Sequence, residues 1–506
     1  MSEIRRDISC ENMEILKNKW IILVFILTVS GIIIFTDFLV RPAIWSDEGL
    51  VVQLARNFSE TGDYNIAVAP GVFSGNRHYY TSSVGWVMPV SLAIVFKVFG
   101  VSFLNGRLLA AFYFFGFIIV SFLLAHRLWG LKIAAISSFL LVTFAPLYGN
   151  GKPAIAEVPA LFWLALGFYF YEIFRQKPTQ QMIFSGIGFG LFFASKPAFL
   201  LLGLPALFLI HLIDFLRDKE SLRKLAAFWP VVFIVVLPTI WLGIIHPINF
   251  SNIKKAVAHY SNNYGSPCVL CDIKNNLSAF LSSETLWHLF LLSVVAVVYL
   301  IFINRKILLE DWRLKWLALF GFFDILFFLK SPGVFRYLFP LQIILLAAFP
   351  ICFLGIVKRA RENLSGAAFF LLVVLGVFQF LHLALSPTSY YSAVYSVGPV
   401  DMEKYLSDKK FPKNATIGII DMPQAGASMA AGRYYQLIQF ATGKNFGISD
   451  GINVLDLPDN LLPDYLIYKR PFFLLSGNAG EYEKKIENHY KKIAIFYEHI
   501  LLMKKN

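Results

Sequence analysis

Apolar runs of about twenty residues recur between residues 20 and 386, and they constrain this chain more than any other feature. A helix needs ~20 mostly apolar residues to cross the hydrocarbon core of a bilayer. In lipid every backbone polar group must be satisfied inside the protein, so such runs fold as helices. The runs at 20–40, 105–126, 133–149, 156–174, 180–195, 197–216, 225–246, 286–303, 314–330, 334–357 and 366–386 predict a polytopic α-helical membrane protein of about eleven spans. Composition agrees: 57% of the 506 residues are hydrophobic, 15% are charged, and mean hydropathy is +0.62. A soluble globule is closer to half apolar and about a quarter charged. The first run has basic flanks (Arg5, Arg6, Lys17, Lys19) but a full-length core and no small-x-small site after it. It reads as a retained anchor, not a cleaved signal.

Lysine and arginine in short loops set the orientation. The basic N-terminus is expected in the cytoplasm, which places "IWSDEGL" (44–50) outside. The stretch 84–100, "VGWVMPVSLAIVFKVFG", decides the rest. As a span it would put the basic loops at 126–132, 175–177, 217–224, 304–306 and 358–361 outside, against the rule in loop after loop. As a short interfacial helix in the first outer loop it puts them all inside, and Lys97 and Pro89 suit that position. Five segments then face outward: 41–104, 149–157, 195–196, 247–285 and 330–337. The chain divides into a transmembrane domain, 1–386, and a C-terminal extracytoplasmic α/β domain, 387–506. In the latter "VDMEKYLSDKK" (400–410) and "RYYQLIQFATG" (433–443) look helical and "ATIGIID" (415–421) looks like a strand.

The formal net charge is +13, with a pI near 9.4. The basic residues are scattered over loop ends and the outer domain, so they read as topology signals and attraction to anionic membrane lipids, not as a nucleic-acid surface. Cys10 is cytoplasmic and Cys352 lies in a span, while Cys268 and Cys271 form "CVLC" in the long outer loop. Nothing supplies a second pair for zinc, which leaves a local disulfide or two free thiols.

The polar residues of the outer segments form a set. Asp47 and Glu48 follow the first span; Lys152 and Glu157 bracket "GKPAIAEVP"; Lys196 separates two spans; Arg336 and Tyr337 open "RYLFP". Each has an ordinary reading. An Asp-Glu pair can be solvated loop, Lys196 can snorkel to headgroups, Arg336 can anchor a helix end, and Glu157 can complement the dipole of the helix it begins. Charges at such depth are costly unless paired or functional, and their order along the chain favours function.

That order resembles the glycosyltransferase C superfamily, in particular bacterial relatives of the dolichyl-phosphate-mannose protein mannosyltransferases and the lipid A aminoarabinose transferases. An apolar helix is followed by "DEG", a long outer loop with an aromatic-proline amphipathic helix, and Phe99-Gly100 with Arg107. "AEVPALFWLALGFYFY" (156–171) is similar to the family's second acidic motif, "GIGFGLFFASKPAFLLLGLP" (186–205) to its glycine-then-lysine helix pair, and "RYLFPLQIILL" (336–346) to its late Arg-Tyr-x-x-Pro motif. The likeness covers about residues 20–386. Two departures stand out: the usual prolines before the amphipathic helix are absent, and the second motif carries one acid where the family has acid-x-acid.

The resemblance implies a sugar on a polyprenyl phosphate as donor, a protein, lipid or glycan hydroxyl as acceptor, and inversion by direct displacement. Asp47 is then the general base and Glu48 orients it or touches the acceptor. Glu157 contacts sugar or acceptor hydroxyls. Lys196 and Arg336 hold the lipid phosphate, with Lys152 in support. Arg77, His78, Tyr79, Tyr80 and Tyr337 line the acceptor side. No cofactor is expected, and the single acid of the second motif argues against a divalent metal. The expected location is the plasma (inner) membrane. The alternative is a transporter or flippase, for which Asp324, an acid inside an apolar run, is the best argument. A transporter also calls for paired broken helices and an internal repeat, and no repeat is visible. A membrane scaffold presenting the C-terminal domain would leave the outer charges unexplained.

The topology is testable at Lys132. Lys132→Cys, in a chain otherwise free of cysteine, is expected to resist an impermeant thiol reagent in intact cells and to label once the membrane is opened. Labelling from outside would reverse the whole map.

Overall fold

The computed structural model describes residues 11–39, 42, 46–65, 67–69, 72–73, 84–217, 221–242, 268–305, 311–330 and 335–385 of the helical portion. Beyond these it describes 417–420, 437–439, 459–462, 464–469, 479–496 and 499–505. The chain begins with α1 (Glu11–Phe35) and α2 (Ser46–Thr61), then a short hairpin of β1 (Ala67–Ala69) and β2 (Val72–Phe73). The helical body continues with α3 (Val87–Phe99), α4 (Phe103–Trp129), α5 (Leu131–Val142), α6 (Ala145–Gly151), α7 (Glu157–Ile173) and α8 (Pro178–Ser195). It closes with α9 (Pro197–Arg217), α10 (Ser221–Ile240), α11 (Val269–Ser282), α12 (Glu284–Phe302), α13 (Trp312–Lys330), α14 (Phe339–Ala360) and α15 (Ser365–Leu385).

Every apolar run read as a span is helical over most of its described residues, with one change of shape. The run 133–149 is not one straight helix: α5 and α6 meet at a bend of 68°. Phe144, the residue before α6, is extended, and Pro146 lies in the first turn of α6. Proline at that position starts a helix but cannot continue one. By length and apolarity alone Leu104–Trp129, Pro197–Leu216, Arg336–Ala360 and Glu362–Leu385 suffice to cross a membrane, and the bent pair is a fifth candidate. α3 has 13 residues, about 20 Å of helix, too short to span. It buries Met88, Leu92 and Phe96 and exposes Ile94, Val98 and Phe99, a two-faced pattern that suits an interface.

The C-terminal strands form a mixed sheet in the order β4-β3-β5-β7-β6: β3 (Ile417–Ile420), β4 (Leu437–Gln439), β5 (Tyr465–Lys469), β6 (Tyr490–Phe496) and β7 (His499–Lys504). α16 (Ala479–His489) leads into β6. The helical expectation at 433–443 is overturned at Leu437–Gln439, which pairs in parallel with β3; sheet pairing outweighs a weak local pattern. The helix expected at 400–410 falls outside the described residues.

Glycine sets the closest helix contacts. A Cβ on Gly188 of α8 would lie 2.4 Å from Gly167 Cα of α7, and one on Gly190 would lie 2.8 Å from Val235 of α10. Small residues let helices approach in lipid, where packing rather than hydrophobic burial drives association. Around this seam Phe189, Phe192, Phe193, Phe228, Trp316 and Phe320 are fully buried. Gly188→Ala must part α7 from α8, and overpacking of this kind costs ~1–3 kcal/mol. Thermal unfolding in detergent is expected to show the loss. Gly366→Ala, with nothing within 4 Å of the new methyl, is expected to show none.

Candidate active site

The first acidic pair begins α2, and its glutamate is locked. Arg107, on α4, donates from Nε to Glu48 Oε1 and from Nη2 to Glu48 Oε2, both at 2.9 Å. The same guanidinium donates from Nη1 to the Phe38 carbonyl at 2.7 Å and from Nη2 to the Pro42 carbonyl at 2.9 Å. Glu48 Oε1 also accepts the Ala154 backbone N–H at 3.1 Å. Both side chains have zero exposure. The planar fork of arginine matches a carboxylate two bonds at a time. Four segments meet here: the stretch just after α1, the start of α2, the start of α4, and the loop that carries Lys152. Glu48 therefore holds the site together, and its oxygens are committed to Arg107 and Ala154 rather than offered to an acceptor.

The second cluster is built around Glu157. It is the first residue of α7, where the helix dipole favours an acid. Lys196 is the one residue between α8 and α9; Pro197 behind it holds it extended, with φ −147° and ψ 122°. This corner points Lys196 Nζ to Glu157 Oε1 at 2.5 Å. Arg336, in the 3-10 turn Phe335–Leu338 before α14, places Nε 2.8 Å from the same oxygen. Exposure is 10%, 10% and 2% for Lys196, Arg336 and Glu157. Two cations thus share one acid, which leaves the trio net positive. Phe199 and Tyr337 flank Lys196 with ring centroids at 5.6 and 5.8 Å. Asp324, on α13 and 1% exposed, interacts electrostatically with Lys196.

The structure brings together Glu157, Lys196, Arg336 and Tyr337, and separately Glu48 with Arg107. Lys152 is bound elsewhere: its Nζ donates to the Thr36 carbonyl at 2.7 Å. Asp47 is the second residue of α2, with its side chain outside the described residues, as are Arg77, His78, Tyr79 and Tyr80. Sequence reasoning missed Gly85, on which a Cβ would lie 1.9 Å from the Ala194 carbonyl oxygen. The chain before α3 is thus laid directly on the end of α8, beside Lys196. A glycine before a tryptophan carries no signal of this. Cys268 and Cys271 form a disulfide at the start of α11, which settles the choice left open for that pair. Asn276 of α11 donates to the Phe328 and Leu329 carbonyls at 3.0 and 2.9 Å, tying α11 to the end of α13.

Comparison with known proteins follows the same lines. Residues 84–242 match the family model described as dolichyl-phosphate-mannose-protein mannosyltransferase. An uncharacterized protein of Aquifex aeolicus is 28% identical over 203 residues, which is 39% of this chain and 39% of that protein. The match thus spans about two-fifths of the relative's length. The fold is that of ArnT from Cupriavidus metallidurans bound to undecaprenyl phosphate: TM-score 0.62, 13% identity, 96% of this chain and 97% of that one. The oligosaccharyltransferase AglB from Archaeoglobus fulgidus, in complex with an inhibitory peptide and a dolichol-phosphate, aligns with TM-score 0.51 and 11% identity over 94% and 72% of the two chains. These likenesses show the fold that the chain shares with the two solved structures.

Glu157→Gln removes the charge that two buried cations share. Such a loss costs ~3–5 kcal/mol. Adding Lys196→Met to Glu157→Gln is expected to recover part of it, because one buried cation instead of two then faces the neutral residue. Thermal unfolding of the single and double variants, relative to Lys196→Met alone, checks this.

Proposed function

We propose, from a chain that matches the mannosyltransferase family over residues 84–242 and carries the glycosyltransferase C fold, that this protein transfers a sugar from a polyprenyl phosphate to an acceptor hydroxyl at the extracytoplasmic face of the plasma membrane. The observation that carries the reading is the convergence of Lys196 and Arg336, 140 residues apart, on one oxygen of Glu157. Nothing in local structure asks for cations at both places. The ArnT and AglB structures hold undecaprenyl phosphate and dolichol-phosphate, which supports a lipid phosphate as the ligand of such a pair.

In this reading the acceptor oxygen attacks the anomeric carbon. The bond from that carbon to the phosphate oxygen breaks, its electron pair leaves with the polyprenyl phosphate, and the acceptor proton passes to Asp47. The leaving group needs cations rather than a proton donor. Lys196 serves as a point charge and Arg336 as a planar fork. Glu157 keeps both charged and in place while the site is empty. Glu48, through Arg107, fixes the start of α2 and hence the backbone of Asp47. Direct displacement gives inversion. The hairpin at 67–73 and the segment 75–83 cover the acceptor, and about eleven spans put the N-terminus in the cytoplasm and the C-terminal domain outside. The Cys268–Cys271 disulfide fits an oxidising compartment on that side. Asp324, the strongest argument for a transporter, interacts electrostatically with Lys196, which ties it to the same cluster.

Asp47→Asn keeps the shape and removes the proton acceptor. Transfer is expected to fall ~10²-fold or more, with folding intact because an exposed-type polar swap costs little stability. Purified variant and wild-type enzyme, assayed with a polyprenyl-phosphate sugar, decide the matter. Equal rates would remove Asp47 as the base.

A further inference from the structure

We infer that the helical body holds a lipid-binding site whose polar end lies away from Glu157, Lys196 and Arg336, shaped for one acyl chain of a zwitterionic diacyl phospholipid. Its location in the inner leaflet rests on the topology proposed above; the cavity itself does not. A cavity of about 320 Å³ lies among α4, α5, α7, α13 and α14. Cavities of ~150 Å³ take a six-carbon ring, so this one accommodates a chain of about twelve carbons. On α7 its wall is Leu161, Leu164, Ala165 and Phe168, and on α14 it includes Ala347. None of Glu157, Lys196 and Arg336 lines it.

Two polar features say what the occupant carries. At one end the wall is Asp311 and Arg313, at the N-terminal end of α13. Arg313 donates to Asp311 Oδ1 and Oδ2 at 2.9 and 2.7 Å and also to Glu172, near the end of α7. Arg127 of α4 donates to the Glu172 carbonyl at 3.0 Å. The two charged residues that line the cavity, Asp311 and Arg313, cancel, which suits a head bearing one phosphate and one ammonium better than a purely anionic one. Trp129 also lines this end, as aromatic residues do at a membrane interface.

Deeper in, Ser137 of α5 lines the wall, is 1% exposed, and its Oγ has no hydrogen-bond partner among the described residues. A buried hydroxyl left unpaired costs free energy, so an occupant that supplies an acceptor is favoured. Ser137 lies six residues into α5 from Leu131, roughly 9 Å from the helix start. A glycerol ester carbonyl reaches that depth below a headgroup. A polyprenyl tail has no polar atom to offer there, which separates this site from the donor's.

The test uses the full chain purified in mild detergent, with bound lipid read by native mass spectrometry and by extraction. About one diacyl zwitterionic phospholipid per chain is expected to survive delipidating washes. Ala347→Phe, which fills the cavity, is expected to lower occupancy at least tenfold. Ser137→Ala, which removes only a hydroxyl, is expected to lower it about fivefold, and decides the question if Ala347→Phe does not fold. Excess polyprenyl phosphate is expected not to displace the lipid. Absence of bound phospholipid, equal occupancy in both variants, or displacement by polyprenyl phosphate would overturn the proposal. Mass readout does not depend on sugar transfer, so loss of the transferase reading would leave this result standing, and the reverse.

Discussion

The guanidinium of Arg107 is the interaction on which the end of the molecule that carries Asp47 and Glu48 depends. It takes both oxygens of Glu48 and the carbonyls of Phe38 and Pro42. Those carbonyls sit where the chain leaves α1 and turns, through Asp37 at φ +49°, a conformation that a non-glycine residue adopts only when its surroundings hold it there. A charge with no exposed surface is tolerable only when it is paired and hydrogen-bonded, and here four hydrogen bonds run to the Phe38 and Pro42 carbonyls and Glu48, which must arrive together. The carboxylate beside Asp47 is thus a fastening, and the acid next to it inherits a fixed backbone.

The Glu157 trio works on different terms. Lys196 and Arg336 are about a tenth exposed, and Glu157 offsets one of their two charges. Charged groups that are already desolvated and held in place do not reorganise when an anion arrives, which is what makes such electrostatics effective. The rigidity behind it is helical. Gly167 against Gly188 brings α7 and α8 into backbone contact, so Glu157 at the start of one and Lys196 at the end of the other are set by the same packed pair. Gly85 lays the segment before α3 on that corner. The charges are therefore carried on packed helix ends and not on loops.

Much of this was legible in the residues. Apolar length gave the helices, since in lipid a run of that length has no other way to satisfy its backbone. The acids and bases of the outer segments stood out because charge in apolar surroundings is rare. What each does was less legible, because it depends on which segments meet. Glu48 and Asp47 are neighbours in sequence, yet only contact with Arg107, 59 residues on, distinguishes their roles. Lys152 donates to the Thr36 carbonyl, a contact that its place in the sequence does not announce. The bend between α5 and α6 had its signal in Pro146, hidden by the apolar residues around it. The strand at Leu437–Gln439 was hidden because its partner, β3, lies elsewhere in the chain.

The central claim is that Lys196 and Arg336 form one receptor for a lipid phosphate. Binding of polyprenyl phosphate to wild type, Lys196→Ala, Arg336→Ala and the double variant measures it directly. Each single change is expected to weaken binding by ~1.5–3 kcal/mol, the range for hydrogen bonds to charged groups. The double variant is expected to depart from their sum, because both residues act on one ligand and share Glu157. Unchanged affinity in both single variants would contradict the account and take the lipid-phosphate donor with it.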